Sequence, residues 1–144
     1  MAAVEVHGSK RLNVALVTPT GSLVQREYDE VVAPGELGEF GVLPGHIPVL
    51  AALRPGVLLL RDGTRKEIFA VGPGFLQVGG GNHVKVLVDR AATPKEIDAG
   101  EAKKDAAAAE NELKAAAAKG AATAVLRDQL EWANARLKAL DPRT

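Results

Sequence analysis

The chain has 144 residues, with 18 Lys plus Arg against 18 Asp plus Glu and a formal net charge of zero. That balance argues against a nucleic-acid binder, which carries a basic excess to neutralise phosphates, and the absence of cysteine removes disulfides and thiolate chemistry. The longest strongly apolar run, Val57-Leu58-Leu59-Leu60, falls far short of the roughly 20 residues that span a bilayer, so no direct membrane insertion is expected.

Residues 1–10 read as an N-terminal tail without the apolar core of a signal peptide, and a soluble intracellular chain is expected. Between residues 11 and 91 short apolar runs recur: Leu12 to Thr18, Val31 to Ala33, Phe40 to Leu43, Val57 to Leu60, Lys66 to Val71, Phe75 to Val78 and His83 to Asp89. Pro19-Thr20-Gly21, Pro34-Gly35, Pro55-Gly56, Asp62-Gly63 and Gly79-Gly80-Gly81-Asn82 punctuate them. Short strands at this close spacing predict an all-β sandwich or flattened barrel. Asp62-Gly63 predicts a hairpin turn, and Val84-Lys85-Val86-Leu87-Val88-Asp89 predicts a strand with one buried and one wetter face. Aromatic residues make up only 3% of the chain. Because stabilisation follows buried apolar area at about 25 cal/mol per Å², the core is expected where Val, Leu, Ile and Phe gather, before residue 90.

The most constrained stretch runs from Gly38 to Leu50, where three glycines, two prolines and His46 stand among mostly apolar residues. Glycine permits positive φ and proline fixes φ near −65°, so the stretch reads as two short extended pieces joined by a Pro-Gly turn. Backbone shape fixed so firmly in one place suggests a contact surface.

Residues 92–144 follow other rules and predict an antiparallel helical hairpin, which makes the fold α+β in two parts. Thr93-Pro94-Lys95-Glu96 is a capping-box pattern with proline at the first helical position, and Asp98 with Glu101 offers a second start one turn later; either can begin the main helix. Lys119-Gly120 stops it, a second helix runs from about Thr123 to Leu140, and Asp141-Pro142 ends that. The seam residues are Ala102, Ala106, Ala109, Leu113 and Ala116 on one helix and Leu126, Leu130, Ala133, Leu137 and Leu140 on the other. A buried methyl contributes about 0.8 kcal/mol against roughly 1.5 to 3 for Leu, so a seam built mostly from Ala closes weakly. Alanine's high helix propensity lets the helices survive apart, and a hairpin that opens while staying helical is a plausible switch.

A hydrolase needs a nucleophile beside a base. No such motif stands near His7, His46 or His83, Ser9 and Ser22 lie in unremarkable contexts, and no acidic or histidine cluster has metal-ligand spacing. Gly79-Gly80-Gly81 lacks the Gly-Lys-Ser/Thr of a phosphate loop and reads as a turn. No catalytic residue, metal or cofactor is expected.

The stretch Gly38 to Leu50, followed by Phe69-Ala70-Val71-Gly72-Pro73-Gly74-Phe75-Leu76-Gln77-Val78 and by Asn82, Val84, Val86-Leu87-Val88-Asp89 and Ala91, resembles the epsilon subunit of bacterial F-type ATP synthases (the delta subunit in mitochondria). The order and spacing of these motifs and the Ala-rich tail match the family over roughly residues 11 to 140. The resemblance implies a non-catalytic rotor subunit on the cytoplasmic face of the bacterial inner membrane. Such a subunit couples the turning of a proton-driven ring of c subunits to the gamma subunit. It further implies a gamma-subunit contact around Phe40, Leu43 and His46, against the plainer reading of His46 as a turn histidine bonded to nearby backbone.

Glu36, Leu37, Gly38 and Glu39 are implied to touch the polar loops of the rotor ring, with Glu39 at the family's acidic position, where charge guides docking more than it adds affinity. The alternative is that these carboxylates are only solvated. Lys103, Lys104, Lys114, Lys119, Arg127, Arg136 and Lys138 are either a solvated helix face or, as the resemblance implies for an extended tail, the cations that meet the catalytic beta subunits and restrain hydrolysis. Arg127, Arg136 and Lys138 are the contacts expected there. Some relatives bind ATP through Ile/Leu-Asp-x-x-Arg-Ala; here the stretch is Ile97-Asp98-Ala99-Gly100-Glu101-Ala102. Only Asp98 keeps a binding position, the carboxylate of Glu101 repels a triphosphate, and Asp98 reads as a helix cap. A stand-alone β-sandwich ligand-binding module with a helical oligomerisation tail is the competing reading, although it calls for more aromatics than the chain has.

Overall fold

The computed structural model describes residues 11–144, and the predicted tail at 1–10 lies outside them. Ten strands come first: β1 (Leu12–Thr18), β2 (Gly21–Tyr28), β3 (Glu30–Gly35), β4 (Gly38–Val42), β5 (Val49–Leu53), β6 (Gly56–Asp62), β7 (Arg65–Val71), β8 (Gly74–Val78), β9 (His83–Val88) and β10 (Ala91–Ala92). They form one curled sheet in the order β10-β7-β6-β3-β5-β8-β9-β1-β2, with β4 added on β3. All pairings are antiparallel except β1 with β9. The sheet turns its corner at β3, whose first residues pair with β6 and whose last, Gly35, pairs with Leu53 of β5.

Alternation does what period two predicts. Val84, Val86 and Val88 are buried while Lys85 and Leu87 face out. The inward residues of both sheet halves meet in one core containing Leu12, Val14, Leu16, Tyr28, Leu58, Leu60, Leu76 and Val86. The Asp62-Gly63 hairpin forms as predicted, with Asp62 paired to Arg65 and Gly63 at φ +63°, the glycine position of a primed turn. Strand β2 escaped the sequence reading because it is an edge strand whose residues up to Tyr28 are largely exposed. Its end is tied to the other half by charges: Arg26 Nη2 lies 2.5 Å from Glu67 Oε2, and the Tyr28 hydroxyl donates to Glu67 Oε1 at 2.8 Å. Arg11 bridges Asp29 at 3.1 Å and Asp62 at 2.6 Å.

Both predicted helix starts are used. The Thr93–Glu96 box closes a single 3-10 turn over Pro94–Glu96, and Asp98 caps the first long helix, Ala99–Ala118, by accepting from Glu101 N at 3.0 Å. At the far end Gly120 takes φ +69°, Ala121 N donates to Ala116 O and Gly120 N to Ala117 O, the paired bonds of a Schellman cap. The second helix is Ala124–Ala139. All ten predicted seam residues are buried or half-buried, Ala102, Ala109 and Ala133 fully.

The second helix has another apolar stripe that sequence reasoning passed over. Ala135 and Ala139 pack with Val57 and Ala70, flanked by Ile68, Ile97 and Trp132. This stripe lays the hairpin on the outer face of β6 and β7.

Candidate functional site

The hairpin covers one outer face of the β domain, and among the described residues nothing covers the other. Register partners across β5, β8, β9 and β1 place Ala52, Phe75, Leu87 and Val17 in one row, with Leu50, Gln77, Lys85 and Ala15 in the next. Phe75 is 51% exposed, Leu87 42% and Leu50 67%. Large apolar side chains gathered on one open sheet face mark a protein contact more than a solvated surface does. The row was missed in the sequence because Leu50, Phe75 and Leu87 each sit in strands whose other residues explain their hydrophobicity; only strand register gathers them.

The Gly38–Leu50 stretch borders this face. As predicted it forms two extended pieces, β4 and β5, around a Pro-Gly turn in which Gly45 has φ +88° and His46 N donates to Leu43 O at 3.1 Å. Leu43 and Ile47 are exposed, and so is His46, whose Nδ1 lies 2.7 Å from the Ile47 carbonyl oxygen. Phe40 behaves differently: it is half-buried and packs on the core, its ring 2.9 Å from where a Cβ on Gly35 would sit. Glycine at 35 therefore makes room for Phe40. From Phe40 to Leu53 the chain carries no Asp, Glu, Lys or Arg, so this rim has no formal charge apart from what His46 can take up.

Glu36 and Leu37 form the tip of the β3–β4 hairpin, and Gly38 at φ +129° starts its return. Leu37 is fully exposed, with Glu36 and Glu39 exposed beside it. An apolar tip between two carboxylates projects from the same end of the domain that carries the Gly35–Leu53 corner.

The tail cations are not alike. Arg127 and Lys138 are exposed, whereas Arg136 is engaged: its Nη2 lies 3.0 Å from Asp105 Oδ2 on the first helix, and its guanidinium stands 5.4 Å from the Trp132 ring centroid. Arg54 binds Glu131 of the second helix, its Nε donating to Oε1 at 2.9 Å. Asp98, the remaining residue of the nucleotide pattern, serves as a helix cap, while Glu101 faces a cleft shared with Asp105, Glu112, Arg90 and Arg136.

The described residues thus form a curled β-sandwich carrying a docked two-helix hairpin on one face. The family model for the ATP synthase delta/epsilon chain β-sandwich domain matches residues 11–94. The ATP synthase epsilon chain of Magnetococcus marinus is 37% identical over 130 residues, covering 90% of this chain and 94% of that one. That of Myxococcus xanthus is 36% identical over 129 residues, covering 90% of each. Among solved structures, a chain of the Euglena gracilis mitochondrial ATP synthase (OSCP/F1/c-ring) superposes with a TM-score of 0.80 at 22% identity over 92% of this chain and 82% of that chain, a likeness of fold. The chain belongs to the ATP synthase delta/epsilon family.

Proposed function

We propose that this chain is a non-catalytic central-stalk subunit of a proton-translocating F-type ATP synthase, which couples rotation of the c ring to the gamma subunit for ATP synthesis. The observation that supports this best is the bare apolar row of Ala52, Phe75, Leu87 and Val17, bordered by the charge-free rim at Leu43, His46 and Ile47. The gamma subunit docks there. The tip at Glu36, Leu37, Gly38 and Glu39 meets the polar loops of the ring, so that one stiff sheet grips two neighbours. The subunit is held at the cytoplasmic face of the bacterial inner membrane by those partners; among the described residues no helix is long and apolar enough to cross a membrane.

In the conformation described here the hairpin is folded onto β6 and β7. Restraint of hydrolysis belongs to an extended form in which Arg127, Arg136 and Lys138 reach the catalytic beta subunits. In the folded-back conformation Arg136 pairs with Asp105 at 3.0 Å, so its reaching the beta subunits requires that ion pair to break. Two experiments test the reading. Size-exclusion chromatography with purified gamma subunit should show co-elution, and separate elution rejects the rotor role. Truncation after Ala92 should preserve coupled synthesis and raise hydrolysis by the assembled enzyme, whereas unchanged hydrolysis rejects the inhibitory role.

A further inference from the structure

The turn between β8 and β9 reads in sequence as a simple glycine-rich connection, but one of its residues reaches outside it. Asn82 has φ +62°, and among the described residues no other non-glycine has a positive φ. An L side chain is disfavoured in that region, although Asn tolerates it better than most. Gly81 beside it is also left-handed, at φ +71°, and Gly79 N donates to His83 O at 2.8 Å to close the turn. With the turn so shaped, Asn82 Oδ1 accepts a hydrogen bond from Gly45 N at 2.8 Å. That amide lies at the centre of the Pro44-Gly45-His46 turn. The two loops face each other across a hollow of about 520 Å³ walled by Pro44, Gly45, His46, Pro48 and Gly79–Asn82.

Backbone strain is retained where surrounding structure gains something from it. Here the half-buried amide of Asn82 pins the apex of a loop that has few other anchors: Leu43, Gly45, His46, Ile47 and Pro48 are all exposed. A glycine at the apex, left unpinned, leaves that loop free to sample many shapes, and ordering it on binding lowers affinity.

We propose that Asn82 is the positioning residue of the docking rim: it pre-shapes the Leu43–Pro48 loop for the low-charge protein surface that the loop meets. This rests on the gamma-subunit reading above and adds to it a residue in a different turn, which contacts the loop backbone and not the partner.

The test uses the full chain and purified gamma subunit. Asn82→Gly allows the same left-handed backbone and deletes the side-chain acceptor along with its Cβ; Asn82→Asp keeps an acceptor oxygen. The glycine variant should leave thermal unfolding of the β domain in place. It should speed exchange of the Gly45 amide proton and raise the dissociation rate from gamma roughly fivefold, as expected for one neutral hydrogen bond. The aspartate variant should retain Gly45 protection. If the glycine variant exchanges at Gly45 and dissociates as the wild type does, the inference falls and the rotor reading stands. If the wild type does not bind gamma, the rotor reading falls and takes the inference with it.

Discussion

The guanidinium of Arg90 lies over the indole of Trp132, 4.7 Å from the ring centroid. Arg90 stands between β9 and β10 and Trp132 midway along the second helix, so one stacked pair spans the junction between sheet and hairpin. Arg136, 5.4 Å from the same ring, extends the contact to Asp105 on the first helix. A single aromatic side chain thus joins three parts of the molecule.

Trp132→Ala should undock the hairpin while the β domain stays folded. The expected loss of docking is roughly 2–3 kcal/mol, below the about 3–5 kcal/mol of a fully buried Trp, because the ring is only half-buried. Amide exchange should rise along both helices and remain slow in β6 and β9. Uniform destabilisation of sheet and helices alike would contradict a separable hairpin.

Arg54→Ala should weaken docking by no more than about 1 kcal/mol, the range of exposed ion pairs, since the Arg54 side chain is 54% exposed. Trp132 is the sole tryptophan, so its fluorescence reports the state of the hairpin without labels. The difference between variant and wild type should shrink as salt screens the Arg54–Glu131 pair. A difference that persists at high salt would assign the effect to packing.

Tyr28 gives an alkaline signature. Burial, then the hydrogen bond to Glu67, pushes its pKa up to about 12, above the about 10 of a free tyrosine. A raised folded-state pKa contributes stability that is full below the unfolded value and disappears as pH rises through the folded one. Stability should therefore fall between about pH 10 and 12. Because Tyr28 is the only tyrosine, tyrosinate absorbance follows it directly, and Tyr28→Phe should remove this part of the alkaline loss.

Asp29 gives the acid counterpart. The Gly63 amide at 2.6 Å, followed by Arg11, holds its carboxyl below the usual aspartate range. The sign is opposite: stability is present above the unfolded pKa and declines as pH falls through the lowered one, below about pH 4. Asp29→Asn should flatten that acid limb in a melting-temperature series, and an unchanged limb would remove Asp29 from the account.

Phe75→Arg should leave melting unchanged, because the side chain is half exposed and surface substitutions usually stay within about 0.5 kcal/mol. It should nevertheless weaken gamma binding at least tenfold if that sheet face docks, since burying an unpaired cation is costly. Binding at wild-type strength would move the interface elsewhere.

Much of this molecule was legible because its signals are local. Helix caps at Asp98 and Gly120, the seam through Ala102 and Ala109, the glycine of the β6–β7 turn and the alternation of Val84, Val86 and Val88 each depend on residues a few positions apart. The turn at Gly45 was likewise readable from its own chemistry, whereas Leu37 was singled out only through the family resemblance. What stayed hidden depends on register between distant segments. No local pattern brings Phe75 beside Leu87 and Val17, or Asn82 within a hydrogen bond of Gly45. Strand β2 was missed for a related reason: an edge strand facing water has no hydrophobic period to announce it. The docking stripe of Trp132, Ala135 and Ala139 was overlooked because the same helix already presented a complete leucine seam.

The parallel pairing of β1 with β9 has a bearing on how the chain is made. Asn13 finds its register partner only at His83, almost the whole length of the β domain later. Nascent β1 can zip to β2 at once but must wait, with its other edge open, until β9 leaves the ribosome, and such distant closures are slow. The helices need only their own neighbours and form as fast as they emerge. The part synthesised after the sheet is thus the quickest to take shape, ready to settle on β6 and β7 as soon as the sheet has closed.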